Sequence, residues 1–173
     1  MTTDELAAKI ETVKAAIVKI VEGEVKRVDG NAKVLTFNPA GNDGRIWSGL
    51  FANDDGVIHT WIVSFAGIGT PQSETIGGQQ APAGCFWAVA RFRLDGYKRM
   101  NIGTNLQNGE IEFQAETARL FHALMTSRDL GIPDDVLSHT GARLDFSIPF
   151  LADNKRAYRA GGELAVVLQP IGR

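Results

Sequence analysis

The side chains able to do chemistry in this sequence are few and scattered. His59, His122 and His139 are its three histidines, and no HExxH spacing or close His/Asp cluster joins them into a metal site. His59 alternates with Trp61 and Val63, which reads as a hydrogen-bonded strand histidine. His122 lies beside an apolar helical stripe, and His139 sits in the loop-like run Ser138-His139-Thr140-Gly141. Cys85 is the only cysteine, so no disulfide forms within the chain and no cysteine-based zinc site exists, a usage that fits a reducing compartment. A nucleophilic thiol needs a base beside it, and Cys85 leads directly into Phe86-Trp87, so it reads as a small core residue. Ser48, Ser64 and Ser138 lack the GxSxG elbow.

Carboxylates give no pair either. Glu110 and Glu112 diverge on a helix or share one face of a strand, and Asp134-Asp135 reads as a solvated turn or helix cap. The expectation is therefore no catalytic, metal or cofactor-binding residue, and no cofactor. The enzyme alternative places a pocket near Cys85 and His59, or at the loop 66–84, where two polar groups would have to converge. Arg91 and Arg93, with Lys98 and Arg99 beyond Asp95-Gly96, form the one notable basic patch, with Trp87 and Tyr97 near it. Single-strand nucleic-acid binding uses such a mixture of cations and rings, so an adaptor for nucleic acid or protein is a further alternative. Solvated strand positions or ion pairs with another subunit explain the patch more simply.

Two amphipathic helices and a set of strands must position these residues. Leu6, Ile10, Val13, Ile17 and Ile20 recur at spacings of four and three, predicting a first helix over 6–21, with Thr2 and Glu5 as a capping box. Gly23 weakens its end, and 25–28 reads as extended. Phe113, Leu120, Phe121, Leu124 and Met125 predict a second helix within 110–130, stopped by Gly131 and Pro133. Between and after them the period is two. Strands are expected at 33–37, 47–51, 57–65, 85–94 and 97–102, with turns at 39–44, 53–56 and Asp95-Gly96. Arg143 to Phe150 alternates cleanly, and Pro149 should end that strand or mark it as an edge. The run 152–162 reads as a polar segment and 163–169 as a closing strand. The run 66–84 holds five glycines, two prolines and one charge, Glu74, and reads as a long contact loop. It lacks the GxxxxGK[ST] arrangement of a phosphate cradle.

These elements imply an α+β fold: a mixed or mainly antiparallel sheet packed against two main helices, with a long Gly/Pro-rich loop. No repeat or linker divides the 173 residues, so one domain is expected over 1–173. The hydrophobic fraction of 44% and charged fraction of 22% are those of a globular chain. A net charge of -2 gives no field drawing the domain to nucleic acid or an anionic membrane, so neither is expected as a specific ligand. Charges interrupt the apolar residues of the first 20 positions, so a signal core or membrane span is not expected there.

The order helix, strands with a hairpin, helix, closing strands resembles the tail-terminator proteins of long-tailed bacteriophages. The pieces that carry the likeness are the helix 6–21, the strand pair 57–65 and 85–94, and the helix 113–125. Related neck and head-completion proteins are similar in the same features. The resemblance implies a virion structural subunit assembled in the host cytoplasm. It further implies self-association into a ring, a hexamer in that family, that ends the tail tube, joins tail to head and has tube and neck proteins as partners. The runs 66–84 and 152–162 would then be arms or neighbour contacts. Three Trp and nine Phe suit subunit interfaces, though they suit a core equally well.

Overall fold

A computed structural model describes residues 3–36, 58–71, 75–76, 79–100, 106–152 and 155–172. The expected turns at 39–44 and 53–56, the strand 47–51, Phe37, Ser48, Val57, Glu74 and Thr2 of the capping box lie outside them. The fold is α+β. A five-stranded sheet in the order β1 (Lys33–Leu35), β2 (Ile58–Gly69), β6 (Val89–Met100), β8 (Lys155–Leu168), β7 (Val136–Ala152) carries two helices on one face. Helix α1 spans Thr3–Lys26, and Asp4, Glu5 and Lys26 stand at the ends where they complement its dipole. Val13, Ile17, Val21 and Val25, each four residues apart, are its fully buried row, while Leu6, Ile10 and Ile20 pack at the flank. The helix runs through Gly23 and 25–26 because Val25 extends that row. The extended reading of those residues is corrected.

Strand β1 (Lys33–Leu35) pairs in parallel with β2 (Ile58–Gly69), and every other pairing in the sheet is antiparallel. On β2 the alternation sends His59, Trp61 and Val63 under the helices, and Thr60 and Ile62 are buried on the opposite face. Residues 66–69 continue β2 past a bulge at Phe65/Gly67, so the expected loop begins later than its composition suggests. Two short strands follow, β3 (Thr75–Ile76) against β4 (Gln79–Gln80). Strand β5 (Cys85–Phe86) pairs with β9 (Ile171–Gly172) outside the main sheet.

Strand β6 (Val89–Met100) overturns the expected Asp95-Gly96 turn, since both residues lie mid-strand opposite Ile62 and Trp61. The Trp61 indole explains the glycine: a Cβ on Gly96 would sit 2.6 Å from two of its ring carbons. Asp95 is held in the strand by Arg93 and Arg159. Residues 97–100 are thus the same strand, not a return.

Helix α2 (Leu106–Thr126) buries Phe113, Glu116, Thr117, Leu120 and Leu124. Phe121 and Met125, expected in the stripe, are 40% and 36% exposed. The stop lies a turn beyond the helix, where Leu130 and Gly131 take left-handed φ of 55° and 74°. Strand β7 (Val136–Ala152) includes His139, so that residue is in a strand rather than a loop. It runs past Pro149 and is an outer strand of the sheet, as a proline in the ladder requires. Strand β8 (Lys155–Leu168) absorbs most of the run expected as a polar arm and lies between β6 and β7. Arg159 and Glu163 face away from the helices, while Tyr158, Ala160, Leu164 and Val166 enter the core.

Candidate functional site

One cluster of ionisable groups assembles beneath the helices. The strand period points His59 and Trp61 inward from β2, and the helical period brings Glu116 down from α2 between Phe113 and Leu120. Asp29 arrives from the turn after α1, its Oδ1 accepting the Asn31 amide at 2.9 Å. His59 Nδ1 lies 3.0 Å from Asp29 Oδ2, and Nε2 lies 2.8 Å from Glu116 Oε1. The Trp61 indole N–H donates to the same Glu116 oxygen at 2.7 Å. The Phe113 ring closes the cluster edge-on to His59, with centroids 6.3 Å apart.

Each ring nitrogen of His59 thus faces the carboxyl group of a different acid, so the imidazole is held between Asp29 and Glu116. Burial opposes ionisation of Asp29, but the Asn31 amide and His59 outweigh it and hold its pKa below the ordinary 3.8. Folding therefore favours the Asp29 carboxylate. That contribution is present above the unfolded value of 3.8 and is lost as pH falls through the lower folded value.

An aspartate–histidine pair supplies two members of a hydrolytic triad, yet this one is closed to that use. The nitrogen that would activate a nucleophile is taken by Glu116, and the His59 and Glu116 side chains are 2% and 1% exposed. Glu116 Oε2 is buried without a hydrogen-bond partner. The cluster ties α1, β2 and α2 together.

The other sequence candidates do not join it. Cys85 is half-buried on β5 opposite Gly172, in a different sheet from His59. His122 is exposed on α2, and His139 on β7 keeps both ring nitrogens buried without a partner. Ser64 and Ser138 are half-buried on β2 and β7. Glu110 receives the Gln114 amide, Asp135 lies 3.5 Å from Lys9 Nζ, and Asp134 is exposed. Among the described residues no group of three His, Cys, Asp or Glu could hold a metal ion.

The basic patch dissolves. Lys98 and Arg99 are 6% and 2% exposed and point to opposite faces, Lys98 reaching Glu112 at 3.4 Å. Arg91 faces Glu163 and Arg93 faces Asp95. The sequence spacing hides the partners of Lys98 and Arg91, which come from α2 and from β8.

Open surfaces among the described residues include three broad depressions. On the bare face of the sheet, Arg93, Asp95, Arg143, Asp145, Arg159 and Glu163 surround a trough of about 590 Å³ over Gly161 and Gly162. Between the helices, Lys19, Arg27, Arg119 and His122 rim a groove of about 470 Å³ with Glu24 as its carboxylate. Beside β7, Ala118, Phe121, Leu144 and Phe146 line a more apolar groove of about 430 Å³. None of these is legible as a surface in the sequence, since each joins two or more elements.

No protein-family model matches this chain, and no curated protein matches it in sequence. Among the described residues no helix is long and apolar enough to cross a membrane.

Proposed function

We propose that this protein is a self-assembling structural subunit of a virion, forming a ring that ends the tail tube and joins tail to head. The observation that carries assembly over catalysis is where the polar groups lie. The only histidine with acidic partners among the described residues is sealed in the interior, whereas a long outer strand with an apolar groove beside it faces outward. A catalyst needs its reactive groups at a cleft, and an assembly subunit needs adhesive edges and patches. The ring, the tube and the neck come from the resemblance in element order to phage tail terminators and neck proteins.

Purified protein mixed with terminator-free tail tubes and imaged by negative stain should appear as density confined to one tube end, with tube length fixed thereafter. Tubes that stay bare and keep growing would overturn the tail-capping role. An adaptor that grips an acidic partner is the second reading, favoured by Lys19, Arg27 and Arg119 rimming one groove without an ion pair among the described residues. Binding through that groove would weaken steeply with salt, and tube capping through an apolar edge would not.

A further inference from the structure

We infer that two copies of this chain pair through β7, antiparallel, about a two-fold axis at Leu144. This pairing uses the same outer strand on which the assembly reading rests, yet it can hold without the tail-capping role. Strand β7 has β8 on one side and, among the described residues, no strand on the other. Such an edge presents a row of unused N–H and C=O groups that another strand can complete.

The register follows from the strand itself. Bulges at His139/Gly141 and Ser147/Phe150 interrupt the β7–β8 ladder, and the regular run between them is 141–147. Leu144 is its midpoint. An antiparallel partner centred there sets Arg143 opposite Asp145 of the second copy, twice, and Leu144 opposite itself. On the helix side Ala142 meets Phe146, a small residue against a large one, again twice. The sequence of this short run is thus complementary to itself in charge on one face and in size on the other. Since the axis stands perpendicular to the sheet, the two sheets continue into one and both grooves beside β7 meet across it. Phe121, 40% exposed in the single chain, lines that groove.

The rival explanation is that the bulges and charges keep this edge from pairing, as edge strands commonly require. Within one chain Arg143 and Asp145 do contact, Nε to Oδ2 at 2.9 Å, but their side chains are 83% and 64% exposed. Such a contact holds weakly and can exchange for a partner across the axis. A guard against pairing is served best by like charges. Here the signs alternate.

The test is a charge swap read by sedimentation velocity. The wild type should run as a dimer. Arg143→Asp and Asp145→Arg should each weaken dimerisation about tenfold or more, because two attractive pairs become two repulsive ones. Mixed in equal amounts, the two variants should recover the dimer. One copy then brings two carboxylates to the axis and the other brings two guanidiniums, so both cross-axis pairs are attractive again. The double variant should recover it too. A wild type that stays monomeric, single variants that dimerise normally, or a mixture that fails to recover would each overturn the proposal. If either variant loses the native far-UV spectrum, Arg143→Glu and Asp145→Lys replace the pair and are read by the same criteria.

Discussion

Glu116→Ala is expected to lower unfolding stability by about 3–5 kcal/mol, the usual cost of removing one partner from a buried ion pair. The substitution strips His59 Nε2 and Trp61 Nε1 of their shared acceptor in an interior where neither side chain reaches water. The His59 ring is then held by Asp29 alone. Glu116→Gln should cost less, because its amide oxygen can still accept while the charge is gone. Replacing the pair together, with His59→Phe and Glu116→Leu, should recover part of the loss, since no charge is stranded except that of Asp29 at the surface. Urea unfolding with an unchanged slope measures all three. A loss under about 1 kcal/mol for Glu116→Ala would mean the cluster does not hold the helices to the sheet. A gain in stability would point instead to a strained functional site, the pattern that stability–activity trade-offs produce.

Gly162→Ala should be comparably severe, and for a different reason. A Cβ at this position would fall on the carbonyl of Arg143, with the carbonyl carbon at 2.6 Å and the Leu144 Cα at 3.0 Å. The obstacle is backbone, so no rotamer change relieves it. β7 must move away from β8 across the regular run of their ladder. We expect about 3 kcal/mol or more of destabilisation, or a chain recovered only as aggregate. Gly23→Ala is the matched control. Its added methyl meets nothing within 4 Å inside α1. It should therefore stabilise the chain by up to about 1 kcal/mol through helix propensity and a less flexible unfolded state. Equal effects at the two glycines, measured by thermal or urea unfolding, would contradict the close approach of β7 to β8.

Glycine positions also mark where the sequence is readable and where it is not. Both helices are legible because their apolar rows repeat over several turns. β2, β6 and the alternating part of β7 are legible through period two. Asp95-Gly96 reads wrongly as a turn because that dipeptide favours one locally. What decides its conformation is Trp61, 35 residues earlier, whose indole occupies the space a side chain on residue 96 would take. The polar run before Gly162 reads wrongly as an arm, since a strand between charged neighbours keeps polar residues for them: Arg159 reaches Asp95, and Glu163 lies 3.7 Å from Arg91.

The ionic cluster is half legible. His59 falls correctly on an inward strand face, but its partners lie 30 residues before it and 57 after it. One signal could have found Glu116. It falls on the same helical face as Phe113, Leu120 and Leu124, and a carboxylate in an apolar row has to find a donor. Asp29 carries no such signal, because a turn aspartate next to Gly30 and Asn31 is explained by the turn alone. The surface cues fail in the opposite direction. Arg91, Arg93, Lys98 and Arg99 look like one patch in sequence, yet strand alternation sends them to two faces and each meets a carboxylate or the interior.

The proposed assembly works through the edge of the sheet. Amide hydrogen exchange along β7, followed as protein concentration is raised, addresses that directly. Edge pairing predicts that the amides within 142–146 that point away from β8 become slower to exchange as the particles grow, while those of β6 and β8, already paired on both sides, stay unchanged. Exchange in 142–146 that remains as fast in the concentrated protein as in the dilute one would contradict it.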